Sequence, residues 1–322
     1  TACSPCNLRK GGRTLREAGF TVYMPSLFGR DGAAHALDYA RESVRRFSLD
    51  QALRRAVREG QLSLCYQPQV DIEDGQVVGA ETLLRWNSPA LGEISPSVFV
   101  PLLESSDLVH EIGLWALNTA CRQITVWRRA GYPHMRLAVN LSAVQLRRPD
   151  LKDVILQTIS AHNLAPRDIE LELTETAAMD DQARNGALLR ELGEMGFGIA
   201  LDDFGVGFSN LFNLQNLPIT KVKIDRAFVA DIDQHPVRQS ICRAIIRLSH
   251  ELGVTVLAEG VERAEEVRML RRLGCNLYQG YFFSRPRSAD LLGSKLTKPE
   301  WLADVLRELN RDNNTLTERS AP

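Results

Sequence analysis

From about residue 46 onward, short apolar runs alternate with amphipathic stretches. The strand-like runs are LSLCYQPQVDI, QVVGAETLLRW, RLAVNLS, IELELTE, GIALDD, TKVKID, VTVLAEGV and LYQGYFF. Between most of them lie segments such as EIGLWALNTACRQITVWRRAG, ALLRELGEMG and VRQSICRAIIRLSHELG. Their apolar residues recur at the three-and-four spacing of a helix. Several end at Gly, which stops a helix by taking up a left-handed conformation. This rhythm predicts an α/β fold, a (β/α)8 TIM-like barrel. A doubly wound open sheet is the alternative. The first two strand candidates break the rhythm, because only DIEDGQ separates them. Asp-Gly in a short connection is a hairpin signal, so the first strand is expected to run antiparallel.

The same pattern divides the chain. Residues 1–45 mix Gly, Pro and short apolar pieces and are expected to be a linker or the remnant of a preceding domain. Residues 46–292 form the expected catalytic domain, opening with the helical SLDQALRRAVREG. Residues 293–322 hold one short helix, PEWLADVLREL, and a polar tail expected to fray.

Composition adds exclusions. The chain has 322 residues, 44% of them hydrophobic and 25% charged, and a net charge of −1. That balance suits a soluble globular protein and offers no basic surface to a nucleic acid polymer. No apolar run approaches the ~20 residues of a membrane segment. Cysteines at 65, 121, 242 and 275 sit among apolar neighbours, as reduced cytoplasmic thiols do. Cys3 and Cys6 form a CxxC without further metal ligands nearby. The start lacks Met and the apolar core of a signal peptide, so a cut from a longer protein is expected.

Acidic and amide residues then fall at the strand ends. Glu81 and Arg85 lie on the second strand, Asn140 ends the third, and Glu172 and Glu175 lie on the fourth. Asp202 and Asp203 end the fifth, Lys223 and Asp225 lie on the sixth, Glu259 and Glu262 on the seventh, and Gln279 on the eighth. The parallel strands of a barrel converge on one mouth, which would gather these groups. Crowded carboxylates raise each other's pKa, and cations relieve them. Oxygen donors without His or Cys select hard Mg²⁺ or Mn²⁺, and this many suggest two ions sharing an Asp. Two such ions can hold a phosphodiester and generate hydroxide from water. Singly, each residue also has a structural reading. Glu172 and Glu175 could face outward from an exposed strand, Lys223 and Asp225 could pair, Gln67 could bond a neighbouring backbone, and Glu262 could start a helix.

The ordered pieces YQPQVD, GAETLLRW, VNLS, ELTE, DDFGVGFSN, VKID, AEGVE and QGYFFSRP resemble the EAL domain, a bacterial phosphodiesterase module for cyclic di-GMP. The resemblance implies a barrel with an antiparallel first strand, two Mg²⁺ or Mn²⁺ ions, and linearisation of cyclic di-GMP to 5′-pGpG. It implies Glu81, Asn140, Glu172 and Asp202 as ligands of one ion, with Asp202 bridging to a second beside Asp203. Lys223 would orient or activate the attacking water, with Glu259 as metal ligand or base and Gln279 positioning water or substrate. Gln67, Arg85 and Asp225 would contact substrate. Glu175, Gly205, Val206 and Gly207 would couple the site to a homodimer interface. N-terminal regulatory domains in the full-length protein, GGDEF among them, are the family's usual context. A binding receptor that does not cleave is the alternative. The chain departs from the family at Thr82 for Ala, at Val206, Phe208 and Asn210 in the loop, and at Asp107 for Gly, where a positive φ would be strained.

Overall fold

In the computed structural model, residues 46–132, 135–205, 217–298 and 300–317 are described. The chain divides into two units, Thr1–Gln51 and Ala52–Pro322. Of the first, residues 46–51 open a helix that runs to residue 58. Cys3 and Cys6 lie outside the described residues, as do Val206, Gly207, Phe208 and Asn210.

The hairpin forms as its Asp-Gly signal requires. Strand β1, Leu62–Asp71, pairs antiparallel with β2, Gln76–Ser88. In the turn, the Asp71 carboxylate accepts the N–H groups of Glu73 (2.9 Å) and Asp74 (3.2 Å), and Gly75 takes φ +61°. A short β3, Gly92–Ile94, which the apolar pattern does not reveal, extends β2 outside the ring.

Six further strands follow: β4 Arg136–Asn140, β5 Ile169–Thr174, β6 Gly198–Phe204, β7 Lys221–Ile224, β8 Thr255–Ala258 and β9 Leu277–Tyr278. From β2 through β9, skipping β3, each pairs parallel with the next. The antiparallel pairing of β1 with β9 closes the ring. An open doubly wound sheet would leave these edges unpaired, so the fold is a (β/α)8 TIM-like barrel with a reversed first strand.

Period-two alternation separates the two faces of each strand. Leu137, Val139, Leu171, Leu173, Ile199, Leu201, Val222 and Ile224 join the apolar cluster beneath the surrounding helices. The intervening positions, including Glu170, Glu172, Lys221 and Lys223, point into the ring and are buried too. Helices supply the outer layer with apolar residues three and four apart, as in Pro236–Glu251, where Cys242, Ile245, Ile246 and Ser249 are buried. Burial pushes the thiols of Cys121, Cys242 and Cys275 up to about 12, so they pack as inert groups.

Two expectations change. Asp107 has φ −65°, so its side chain carries no left-handed strain. The last helix runs Glu300–Thr317, past the apolar stretch that marks it, with Leu302 and Leu309 in the core. Among the described residues, no helix is long and apolar enough to cross a membrane.

Candidate active site

The mouth of the ring is built by strand ends. Glu81 comes from β2, Asn140 from the last residue of β4, Glu172 from β5, and Glu259 and Gln279 from just beyond β8 and β9. The reversed β1 brings in Gln67, paired across the hairpin with Glu81.

Adjacent Asp202 and Asp203 ought to face opposite ways on a regular strand. A bulge resolves this. Leu201 pairs with Val222 and Phe204 with Ile224, so both aspartates stand opposite the single residue Lys223. Asp203 takes φ +54°, and its N–H donates to the Asp202 carboxylate at 2.9 Å. Asp tolerates this left-handed conformation better than most residues. Gly205 follows at φ +95° and turns the chain away.

Lys223 lies at the centre and is fully buried. Its ammonium stands 2.8 Å from Glu259, 2.9 Å from Glu172, 3.2 Å from Asp202 and 3.6 Å from Glu81. Desolvation opposes its charge, but the ring of carboxylates outweighs it and holds the ammonium's pKa well above the ordinary value. Glu172 and Glu259 are pushed well up, first by burial and then, despite Lys223, by neighbouring carboxylates. Asp203 is raised by burial and by Asp202 beside it. One ammonium cannot neutralise so many buried acids.

The residues present fit divalent cations. Glu81, Glu172 and Asp202 each offer an oxygen within 4.8 Å of the others, and so do Asp202, Asp203 and Glu259. Asp202 belongs to both groups. Glu172 is fully buried, yet its Oε1 has no hydrogen-bond partner. An orphaned buried carboxylate oxygen is costly unless something positive meets it. Asn140 donates its amide to Glu81 Oε1 at 3.1 Å, which leaves its carbonyl oxygen as the atom it can offer a cation.

Gln279 donates to Glu81 Oε2 and, at 3.3 Å, to Gln67. Gln67 in turn donates to the Ser284 carbonyl at 3.0 Å. Its backbone-bonding reading and its place at the mouth therefore both hold. Glu172 is not an outward residue of an exposed strand, and Glu175 is also buried, at the start of the helix Glu175–Met179. Lys223 pairs with the four acids above, while Asp225 caps the helix Arg226–Val229 by accepting the Ala227 N–H at 2.8 Å. Arg85 lies on the same strand face as Glu81, further toward the rim, and donates to the Leu84 carbonyl. Glu262 pairs with Arg226 at 2.9 Å.

A second polar layer lies one step below, and the strand-end reading misses it. Lys221 donates to Glu170 at 2.6 Å and to Gln69 at 2.9 Å. Its signal was present in the sequence as like residues two apart: Gln67 and Gln69, Glu170 and Glu172, Lys221 and Lys223.

Comparison with known proteins agrees with this architecture. The EAL domain family model matches residues 50–286. The bifunctional diguanylate cyclase/cyclic di-GMP phosphodiesterase MucR of Pseudomonas aeruginosa is 41% identical over 240 residues, covering 74% of this chain and 35% of MucR. The cyclic di-GMP phosphodiesterase NbdA of the same organism is 36% identical, covering 92% of this chain and 38% of NbdA. The chain thus spans about a third of the length of these curated relatives. The PaMucR phosphodiesterase in its c-di-GMP complex superposes with TM-score 0.72 at 40% identity, over 75% of this chain and 98% of that one. The cGMP-bound EAL enzyme Bd1971 superposes with TM-score 0.76 at 32% identity, over 80% of this chain and 71% of that one. With the family model matching most of the chain and the barrel matching its solved members, the chain belongs to the EAL domain family.

Proposed function

We propose that this domain hydrolyses cyclic di-GMP to 5′-pGpG by a two-metal mechanism. The observation that carries the reading is the pair of oxygen clusters sharing Asp202 around buried Lys223. Glu81, Asn140, Glu172 and Asp202 would hold one Mg²⁺ or Mn²⁺, and Asp202, Asp203 and Glu259 the other. Bound there, the ions would supply a nucleophilic hydroxide at neutral pH and stabilise the leaving oxygen.

The chain's own groups do the rest. Lys223, held as an ammonium, donates hydrogen bonds and orients the attacking water instead of taking its proton. Glu259, 2.8 Å from the Lys223 ammonium, is a metal ligand or the proton acceptor. Gln279 fixes Glu81 and, with Gln67, presents amide groups to water or substrate. Arg85 suits a phosphate oxygen, because its planar fork donates two parallel hydrogen bonds. Asp225, beyond its capping bond, would meet substrate from the β7 side. Glu175, Gly205 and the loop through Val206 and Gly207 would couple the mouth to a homodimer. The catalytic domain would occupy residues 46–292, with residues 1–45 linking it to N-terminal regulatory domains in the cytoplasm.

The test incubates the purified protein with cyclic di-GMP and Mg²⁺ or Mn²⁺, beside an EDTA sample, and separates the nucleotides. Metal-dependent 5′-pGpG is expected. Tight binding without product would replace hydrolysis with a receptor role.

A further inference from the structure

Beneath the mouth, a buried ion pair fills the ring where barrels of this kind usually stack branched apolar residues. Lys221 donates to Glu170 at 2.6 Å and to Gln69 at 2.9 Å, and all three side chains are buried. A buried ion pair is seldom more stabilising than apolar residues of the same volume, so stability alone does not account for it.

The strand register offers Lys221 a choice of acids. Glu172 pairs with Ala200 and Ala200 with Lys221, so the three stand in one row across β5, β6 and β7. Paired residues share a face, and between Glu172 and Lys221 that row holds only the Ala200 methyl. The Lys221 ammonium nevertheless reaches below its row to Glu170, two residues earlier on β5. Gly198, paired with Glu170, makes the room: a Cβ there would lie 3.2 Å from Glu170 Cβ and Cγ. Lys223 likewise donates to Glu172 Oε2, at 2.9 Å. Glu172 Oε1 is left without a partner although the residue is fully buried. An unsatisfied carboxylate oxygen thus stands in Lys221's own row while Lys221 is held away from it.

The surrounding charges would pull a released Lys221 upward. Above it, Glu81, Glu172, Asp202 and Glu259 surround the single Lys223 ammonium. Below it, the ring opens to a cavity lined by Arg128, Arg136 and Arg167 against Asp71, Asp168 and Glu170 itself. Without Glu170 the lower end is cationic and the upper end remains acidic.

Given divalent ions at the mouth, as proposed above, we infer that Glu170 is a positioning residue for their site. It holds Lys221 below its row, keeps that ammonium off Glu172 Oε1, and so leaves the oxygen to an ion. Gln69 assists by accepting the second Lys221 hydrogen bond. Loss of Glu170 then weakens ion binding by admitting a competitor already built into the chain, and loss of the competitor restores it.

The test titrates Mn²⁺ into the metal-free whole chain by calorimetry, without substrate. Glu170→Leu should weaken binding at least about tenfold, as when the open site falls to a tenth of the molecules. Glu170→Gln removes the same charge but keeps an acceptor for Lys221, so it should weaken binding less. Glu170→Leu with Lys221→Met should return the affinity to that of the unsubstituted protein. This double variant exchanges a buried pair for apolar residues of similar volume and should fold, which thermal melts check for all variants. A metal-free crystal of Glu170→Leu should show the Lys221 ammonium on Glu172 Oε1. Affinity unchanged by Glu170→Leu, equal loss in both single variants, or no recovery in the double variant overturns the inference. So does a crystal with Lys221 still on Gln69 or turned into the lower cavity. If the unsubstituted protein binds no Mn²⁺, the metal reading of the mouth fails instead, and the crystal alone decides where Glu170 holds Lys221.

Discussion

Lys223 is hydrogen-bonded and ion-paired like a core residue, yet every partner is an acid that a cation would also claim. Lys223→Met leaves those acids facing one another. Turnover should fall roughly 10²–10³-fold, as when one preorganised hydrogen-bond donor is removed from a reacting centre. The metal-free protein should lose about 3–5 kcal/mol, as when one partner of a buried ion pair is removed. Urea unfolding in EDTA and in Mg²⁺ separates the two effects, because added cations should restore stability and not turnover. The raised carboxylates give a pH prediction. Glu172 and Glu259 bind protons more tightly folded than unfolded, so their contribution to stability is present below the ordinary carboxylate value and is lost as pH rises through their raised ones. Metal-free protein should therefore become less stable as pH rises from about 4.5, and saturating Mg²⁺ should flatten that slope. A slope unchanged by Mg²⁺ would count against Glu172 and Glu259 as ligands. Thr82, in place of the family's Ala, donates its hydroxyl to the Ala138 carbonyl at 2.7 Å and ties the strand of Glu81 to that of Asn140. Thr82→Ala should cost about 1 kcal/mol in denaturant unfolding, with kcat nearly unchanged.

Strand β6 shows what a single element adds to its residues. The bulge places two carboxylates where a regular strand would place one, and the left-handed Asp203 holds it open. Asp203→Gly keeps the backbone conformation and removes the carboxylate, so turnover should fall while stability holds or rises. Asp203→Ala should lose turnover equally and also cost about 1–2 kcal/mol of strain. Paired melts and rate assays distinguish ligand from hinge. The sequence shows this element only in part. The apolar run GIAL and the two aspartates announce a strand ending in acid, but a bulge is a relation between strands, and the extra residue appears only when β7 is laid beside it. The same limit hid β3, three residues without an apolar period of their own. By contrast, the hairpin was legible because Asp71, Gly75 and the turn's hydrogen bonds are local.

At the scale of the molecule, the barrel and its mouth were readable because one pattern, apolar outward and polar inward, recurs strand after strand. The floor was not, since Gln69, Glu170 and Lys221 sit mid-strand, where a single polar residue reads as an interruption. The closing helix was undersized for a similar reason: its last turns are polar, while its anchors Leu302 and Leu309 lie earlier. Arg268 also donates to the Leu309 carbonyl at 3.1 Å. Truncation after Lys298 should therefore cost about 3–6 kcal/mol for the two buried leucines, with turnover per folded molecule retained. Equal melting of both forms would make the helix an appendage. The central lysine has one more consequence. Its ammonium fills the middle of the acid ring with no ion present, so a starved site need not fly apart. On the mechanism proposed, loss of the ions would then silence the domain without unfolding it, and their return would restore output with no cycle of unfolding and rescue.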